Sequence, residues 1–342
     1  MTHSQKRNPQ TNLKDPDMFW DYLSTNPESI HQVMVLFSDR GTPDGYAHMN
    51  GYSGHTIKLV KKDGSFAYVK FHFKAHQGIK SLDNDTAERL SGTSPDYATK
   101  DLFNRIAAGN FPSWTCYVQV LTPEQAEKFR WNVFDMTKVW PKAEVPLRRF
   151  GKLTLNQNPE NFFAEVEQAA YSPSNLVPGV ESSADPVLQA RLFAYPDTQR
   201  YRLGANYQQL PVNRPRCPVF NFQRDGFMAV NNFGANPNYI SSDRPLKFKQ
   251  SATSQSHDAW TTQALTFMFQ VTDDDFVQPK ALWEVYGKTG QQEHFLYNIS
   301  LHLANARKDI RERQYALFDR VDSELGQKVR AATEGVAAKL VQ

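Results

Sequence analysis

The sequence predicts an α+β fold, because strand patterns and helix patterns occupy separate stretches of the chain. Two strand-like runs, 55–62 and 66–74, flank Asp63-Gly64, a pair typical of the type I′ turn of a β-hairpin. From Asp275 almost to the end of the sequence, apolar residues recur every three or four positions, as they do along one face of a helix. They include Leu296, Ile299, Leu303, Tyr315, Phe318 and Val321.

The stretch between these two patterns predicts an extended wrapping connection. Residues 205–274 are rich in Asn, Pro, Gln and Arg and show little periodicity. We therefore expect three units along the chain. Residues 1–157 form a sheet domain with helical insertions, residues 158–273 form a helix and the wrapping segment, and residues 274–342 form a helical domain.

Shorter local signals predict the remaining elements. Asp15-Pro16 and Asn26-Pro27 each suit a helix N-cap followed by proline at the first helical position. Two helices are expected between residues 84 and 109, the second ending at Gly109. The other signals are a strand at Ser113–Leu121, a capping box at Thr122–Gln125, a strand at Leu147–Leu155 and an amphipathic segment at Phe162–Ala170.

Composition and charge exclude several functions. The chain has 342 residues, 40% hydrophobic and 22% charged, as is ordinary for a globular protein. A net charge of +3 without a basic block argues against nucleic acid, and no apolar run is long enough to span a membrane. Cys116 and Cys217 lie far apart and are interpreted as free thiols in a reducing compartment. The polar first residues and the ending Lys339–Gln342 carry no secretory or peroxisomal signal, so we expect an intracellular protein, cytoplasmic or peroxisomal.

A possible metal ligand lies in the stretch from Asp185 to Gln199. Asp185 can cap a helix that has Pro186 at its first position, and Arg191 and Tyr195 then lie one turn apart on the same face. A guanidinium beside the phenol oxygen, together with a ferric ion, would favour the phenolate. We expect Pro196 to disturb the helix directly after the tyrosine. By spacing alone, however, an ordinary cation–aromatic pair is the better interpretation.

The residues themselves resemble a known family. Arg191-Leu-Phe-Ala-Tyr-Pro-Asp-Thr-Gln199 matches the proximal haem-ligand signature of the monofunctional haem catalases. Most of the chain is similar to segments of that family, with the look of its fungal small-subunit type. These segments include the stretches beginning at His3, His31, Leu36, Asn110, Val133 and Tyr201.

The resemblance implies a catalase fold, with an incomplete antiparallel β-barrel, a wrapping segment and a C-terminal helical domain. It also implies haem b, with Tyr195 as the iron ligand, since tyrosine is the axial ligand of catalases. His55 and Asp185 correspond to proximal residues of the family, and Arg202 to an arginine that binds a haem propionate. His55 could instead cap a strand and Asp185 a helix, whereas no local role is evident for Arg202.

The resemblance further implies a distal histidine and asparagine that act on the peroxide. The family's histidine follows an arginine by three residues, and none of the nine histidines here does so. We therefore expect the distal pair, and the N-terminal arm used to assemble the family's homotetramer, to be absent from these 342 residues. No catalytic residue is assigned within them.

Many small-subunit catalases bind NADPH, and the corresponding residues are present here. They are His31, Ser38, Arg40, Asn50, His72, Lys74, Val139 and Trp140. Arg40, His72 and Lys74 suit phosphates, and Trp140 suits an apolar wall. His72 and Lys74, two residues apart on a strand, could instead form a solvated face.

Three functions remain open at this stage. The first is a haem catalase acting on hydrogen peroxide. The second is a catalase-like enzyme of fungal secondary metabolism that oxidises a small organic substrate, as in chanoclavine-type alkaloid formation. The third is an inactive relic of a catalase.

Overall fold

The computed structural model describes residues 7–216, 252–266 and 270–340, together with a few single positions between 225 and 239. Most of the predicted wrapping connection lies outside the described residues, and so does Cys217. Cys116 is buried with a free thiol, as predicted. Within the described part of the chain, no helix has the length and apolar character needed to cross a bilayer.

The strands form one antiparallel sheet, in agreement with the predicted α+β class. They are β1 (Gly51–Tyr52), β2 (Ile57–Val60), β3 (Phe66–Ala75), β4 (Ser113–Leu121), β5 (Arg148–Thr154) and β6 (Val180–Ser182). The order across the sheet is β5-β4-β3-β2-β6, and β1 pairs with the far end of β3. Strands β5 and β6 each have one partner among the described strands and form the two edges of this sheet as far as it is described.

The described part of the chain contains eleven α-helices. They are α1 (Pro16–Thr25), α2 (Ile30–Leu36), α3 (Asn84–Thr93), α4 (Tyr97–Ala107), α5 (Pro123–Glu127), α6 (Pro186–Leu203), α7 (Asp258–Thr266), α8 (Asp274–Thr289), α9 (Gln292–Leu303), α10 (Lys308–Val321) and α11 (Ser323–Leu340). The Asp15 cap and the Thr122 capping box form as predicted. Gly109 follows α4 with a positive φ, which suits glycine.

The turn between β2 and β3 differs from the prediction. Gly64 N–H donates to the Lys61 carbonyl, and Lys61 N–H donates to the Ser65 carbonyl. Only Gly64 has a positive φ, of 82°, whereas a type I′ turn needs positive φ at both central residues. The connection is therefore a three-residue loop that ends on a left-handed glycine, and the predicted type I′ turn was wrong.

Three other local predictions were wrong at least in part. A short 3₁₀ helix begins at Pro27 after Asn26, as predicted, but the Asn26 side-chain amide donates to the Tyr22 carbonyl, behind it in the chain, instead of capping that helix. The amphipathic segment Phe162–Ala170 contains only one helical turn, at Phe163–Glu167. The predicted wrapping connection includes a regular helix, α7. At Asn26 a competing local hydrogen bond outweighed the helix-capping signal.

The helical core joins both ends of the chain. Trp20 of α1 and Ile30 of α2 pack with Ile299, Tyr315 and Phe318 of the C-terminal helices, all fully buried. The Trp20 indole donates to His302 over 2.8 Å. Thus α1 and α2 pack in the helical core, although they precede the sheet in sequence. The three unit boundaries remain a prediction.

A second core lies beside the sheet. Phe66 and Tyr68 of β3 and Leu121 of β4 pack against Phe134 and Trp140 from the irregular segment that follows α5. Helix α7 contacts this core through Trp260, whose ring lies 5.6 Å from that of Phe134. The segment before β5 therefore packs on the sheet, and His55 lies just before β2 of that sheet.

Candidate functional site

Helix α6 carries the predicted metal ligand and begins as its sequence indicates. The Asp185 side chain accepts hydrogen bonds from the Val187 and Leu188 backbone N–H groups, and Pro186 occupies the first turn. The helix then continues through Pro196 to Leu203. The predicted disturbance after Tyr195 was therefore wrong, because the helix runs on despite the N–H that proline lacks.

Four side chains form a continuous hydrogen-bonded row between α6 and the start of the sheet. Arg191 donates one bond of 2.7 Å to the Tyr195 hydroxyl and another of 2.7 Å to His55 Nε2. His55 Nδ1 lies 2.6 Å from a carboxylate oxygen of Asp185. His55 and Asp185 are buried, while Arg191 and Tyr195 are partly exposed. His55, which lies 130 or more positions before the other three predicted residues, is thus brought together with them.

The donor rules fix the state of His55 in this row. A guanidinium can only donate, so His55 Nε2 must accept from Arg191. The remaining hydrogen is then on Nδ1, which donates to Asp185 over 2.6 Å. Both ring nitrogens are in use, so His55 holds Arg191 in place and has no nitrogen free for proton transfer. The Asp185 carboxylate, on the other side of the His55 ring, balances the charge of Arg191.

Arg202 lies one helical turn beyond Gln199 and has a local role that the sequence did not reveal. It donates to the backbone carbonyls of Glu167 and Ala169, at 2.6 and 2.9 Å, and twice to the Gln199 side chain. The expectation that Arg202 lacks a local role was wrong. These bonds bring the turn Phe163–Glu167 alongside α6.

That turn presents apolar side chains at the surface. Phe162, Phe163 and Val166 are 57%, 60% and 42% exposed. Apolar side chains that are this exposed become buried only when another molecule or group packs against them. An apolar surface therefore lies next to the helix that carries Tyr195.

A second cluster contains the predicted nucleotide residues and is strongly cationic. Lys74 donates to the Tyr52 hydroxyl over 3.2 Å, and Arg40 and Lys142 lie near enough for their charges to act on the phenol. None of the three forms an ion pair with a carboxylate of the described residues. Burial and then the Lys74 charge lower the pKa of Lys142. Burial raises the pKa of Tyr52, but the hydrogen bond and charge of Lys74 outweigh it, so the pKa is lowered. Like charges held together without a counterion are typical of an anion site.

Other members of the predicted nucleotide set also have defined contacts or surroundings. Asn50 accepts from the Ala75 N–H and donates to the Tyr52 hydroxyl, while the Ser38 hydroxyl donates to the Val35 carbonyl. Lys74 lies 4.9 Å above the Tyr52 ring. Burial, aided by the charges of Lys138 and Arg40, lowers the pKa of His31 to about 4.

His72, Val139 and Trp140 meet around residues that the sequence did not single out. His72 Nε2 bonds the Gln119 side chain, which also holds the Trp140 carbonyl, and Gln278 of α8 holds both backbone groups of Val139. Lys70 lies 5.1 Å from the Trp140 ring. The sequence feature that could have identified Gln119 is a polar residue placed between Val118 and Val120 in a buried strand.

Comparison with known proteins agrees with this fold. Residues 1–245 match the family model for catalase, and residues 270–333 match the catalase-related immune-responsive family. The chain is 57% identical to a catalase of Schizosaccharomyces pombe over 99% of its own length and 67% of that protein, and 54% identical to a peroxisomal catalase of Candida albicans over 96% and 68%.

Solved structures show the same relationship. A fungal catalase superposes with a TM-score of 0.89 at 49% identity, covering 98% of this chain and 69% of that one. Catalase A from Saccharomyces cerevisiae gives 0.88 at 48% identity, covering 97% and 70%. The fold and the matched segments therefore define an oxidoreductase of the catalase type. The chain belongs to the catalase family, and it spans about two thirds of the length of these relatives.

Proposed function

We propose that Tyr195 is the axial ligand of a haem iron and that the protein acts in the decomposition of hydrogen peroxide to oxygen and water. The observation that carries the proposal is the row Asp185–His55–Arg191–Tyr195. Each member is held by the next through bonds of 2.6–2.7 Å. The family membership supports the reaction, and the row supports the ligand.

The chemistry of these groups fits a haem. A phenolate oxygen is a suitable ligand for ferric iron, and a guanidinium that donates to it stabilises its negative charge. The apolar side chains of Phe162, Phe163 and Val166 could cover a macrocycle that is itself apolar and planar. Arg202 uses most of its donors on protein acceptors, so its predicted contact with a propionate would rest on the one N–H left over.

Each residue of the row has a separate task. When bound, the haem iron supplies the redox chemistry of peroxide breakdown. Tyr195 would hold the iron, Arg191 would stabilise the phenolate, and His55 and Asp185 would keep Arg191 in position. General acid–base catalysis needs a free proton acceptor, which His55 is not. The absence of the distal histidine and asparagine from these 342 residues stays a prediction of the sequence.

The comparisons favour peroxide over an organic substrate. The similar proteins are named catalases, and several are named peroxisomal catalases. We therefore propose peroxide as the substrate, and a peroxisome as the compartment. Co-localisation of a fluorescently tagged protein with a peroxisomal marker tests the compartment, and a diffuse cytoplasmic signal would contradict it.

Reconstitution with haemin tests the iron ligand. We expect Tyr195→Phe to abolish the ferric-tyrosinate absorption, and Arg191→Ala to weaken haemin binding by about tenfold, as for loss of one charge-assisted hydrogen bond. Tyr201 lies on the same helix but is 94% exposed, so Tyr201→Phe is the matched control and should leave the spectrum unchanged. An unchanged spectrum in Tyr195→Phe would show that another residue binds the iron.

We also propose that the cationic cluster around Tyr52 binds the phosphates of NADPH. Arg40, Lys74 and Lys142 supply three positive charges, and the predicted residues Asn50 and Trp140 lie in contact with the same elements. Arginine and lysine side chains that lack a protein counterion bind phosphate oxygens through charge-assisted hydrogen bonds. This second function rests on the charge cluster and is separate from the haem proposal.

Titration by nucleotide fluorescence tests this site. Arg40→Ala should weaken NADPH binding about tenfold, because it removes a charge-assisted bond to a phosphate. Arg330→Ala, in the distant helix α11, should leave the affinity unchanged. Equal affinity in Arg40→Ala and the unaltered protein would exclude Arg40 from the site.

A further inference from the structure

The irregular segment 138–145 is held by side chains rather than by regular secondary structure. Lys70 of β3 donates to the Lys138 carbonyl over 3.2 Å, and Gln278 of α8 binds both backbone groups of Val139. Gln119 of β4 donates to the carbonyls of Trp140 and Val145, at 3.0 and 2.5 Å. Buried backbone groups outside helices and sheets need such partners.

Gln119 is the member of this set that also reaches the nucleotide cluster. Its side chain is fully buried, and its amide oxygen lies 2.7 Å from His72 Nε2. On the sheet it pairs in register with Lys70. One carboxamide therefore connects His72, in the cationic cluster, with two backbone carbonyls of the segment that carries Trp140.

The orientation of that carboxamide follows from its partners. The carbonyl oxygens of Trp140 and Val145 can only accept, so the amide nitrogen of Gln119 must point to them. Its oxygen must then face His72, and an oxygen can only accept. Hence His72 carries its hydrogen on Nε2. The other ring nitrogen, Nδ1, is buried without a hydrogen-bond partner and has a free lone pair.

We propose that Gln119 is a positioning residue of the nucleotide site: it fixes the tautomer and orientation of His72 and, with the same side chain, the distance between His72 and the Trp140 backbone. The inference rests on the proposed NADPH site. It also changes the role of His72, because a neutral ring supplies no positive charge for a phosphate. Phosphates are then left to Arg40, Lys74 and Lys142.

The surroundings of His72 agree with a neutral ring. Burial, together with the charges of Lys74, Lys142 and Lys70, lowers the pKa of His72, although its bond to Gln119 acts in the opposite direction. The Tyr52 ring stands edge-on at 5.5 Å, and Tyr117 is opposite His72 on β4. No carboxylate of the described residues pairs with the ring.

Two substitutions separate the two tasks of Gln119. Gln119→Met has a similar length but cannot form hydrogen bonds, so it frees both His72 and the segment. Gln119→Glu keeps an oxygen that can accept from His72, but its second oxygen faces the two carbonyls and repels them. Gln314 is fully buried in α10, away from the sheet, and both of its amide atoms are without partners. Gln314→Met is therefore the matched control.

The measurements are nitrogen-15 NMR of the histidine rings and NADPH titration, both on the full chain. We expect His72, assigned by loss of its signals in His72→Gln, to be the Nε2–H tautomer in the unaltered protein and in Gln119→Glu, and a mixture of tautomers in Gln119→Met. NADPH affinity should fall at least about tenfold in Gln119→Met and in Gln119→Glu, but less than twofold in Gln314→Met.

The outcomes separate this inference from the NADPH proposal. An Nδ1–H tautomer in the unaltered protein would overturn the inference whether or not nucleotide binds. Affinity within twofold of the unaltered protein in a folded Gln119→Met would overturn it as well. If the unaltered protein does not bind NADPH, the nucleotide proposal fails, and the tautomer alone then decides whether Gln119 positions His72. If Gln119→Met does not fold, the unaltered protein and Gln119→Glu still decide.

Discussion

Asp185 performs two tasks at once, and the structure allows their contributions to stability to be separated. One carboxylate oxygen accepts from two backbone N–H groups at the start of α6, and the other accepts from the buried His55 ring. Loss of an N-cap costs about 1 kcal/mol. Loss of a buried hydrogen bond to a charged group costs about 2 kcal/mol more, because His55 N–H is left without a partner. We expect Asp185→Ala to lower the free energy of unfolding by about 3 kcal/mol.

A matched control exists at the start of α3. Asp83 accepts from the Thr86 N–H and hydroxyl at an exposed N-cap and has no buried partner. Asp83→Ala should cost about 1 kcal/mol. Urea unfolding followed by circular dichroism measures both variants, and Asp185→Ser, which keeps an N-cap acceptor, should fall between them. If Asp185→Ala and Asp83→Ala lose the same stability, the bond between Asp185 and His55 does not stabilise the fold and the row has been misinterpreted.

Three further results are expected. Burial lowers the pKa of His31 from 6.5 to about 4 in the folded protein. The neutral His31 ring therefore contributes its full stabilisation above pH 6.5, and this contribution is lost as the pH falls towards 4. Urea unfolding should show a loss of about 3 kcal/mol over this range, and His31→Gln should lack this pH dependence. Gly64→Ala should cost more unfolding free energy than Gly109→Ala. Both glycines have a positive φ, which costs alanine about 1 kcal/mol at either position. Only at Gly64 would the added Cβ also lie 3.0 Å from the Thr253 carbonyl oxygen. Equal losses of unfolding free energy in the two variants would exclude that contact. Finally, oxygen release from peroxide by these 342 residues with haemin should stay near that of free haemin, as expected without the distal pair; rates near those of an intact catalase would contradict the motif analysis.

The wrong predictions have different physical causes. Asn26 was expected to cap a helix, but the Tyr22 carbonyl lies within reach of its amide and competes for it. The segment Phe162–Ala170 has helical periodicity, yet its apolar side chains are at the surface, so no packing stabilises a longer helix. Pro196 was expected to disturb α6, but a helix of this length retains enough other hydrogen bonds to continue.

The sequence by itself determined the class of fold, most element positions and the proximal signature. Strand Ser113–Leu121 and the Thr122 capping box were predicted at their observed positions, because alternation and capping depend on residues that are neighbours in the chain. The spacing of Arg191 and Tyr195 likewise fixed their contact, which lies within one helical turn.

Only the tertiary structure shows how distant residues contact each other at these sites, and it alone identified Gln119. His55 lies 136 residues from Arg191, and Gln119 lies 47 residues from His72. No local pattern encodes such contacts, because they depend on how α6 meets β2 and on how the segment before β5 folds back on the sheet. A buried polar side chain must find a partner, but only the packed structure determines which partner that is.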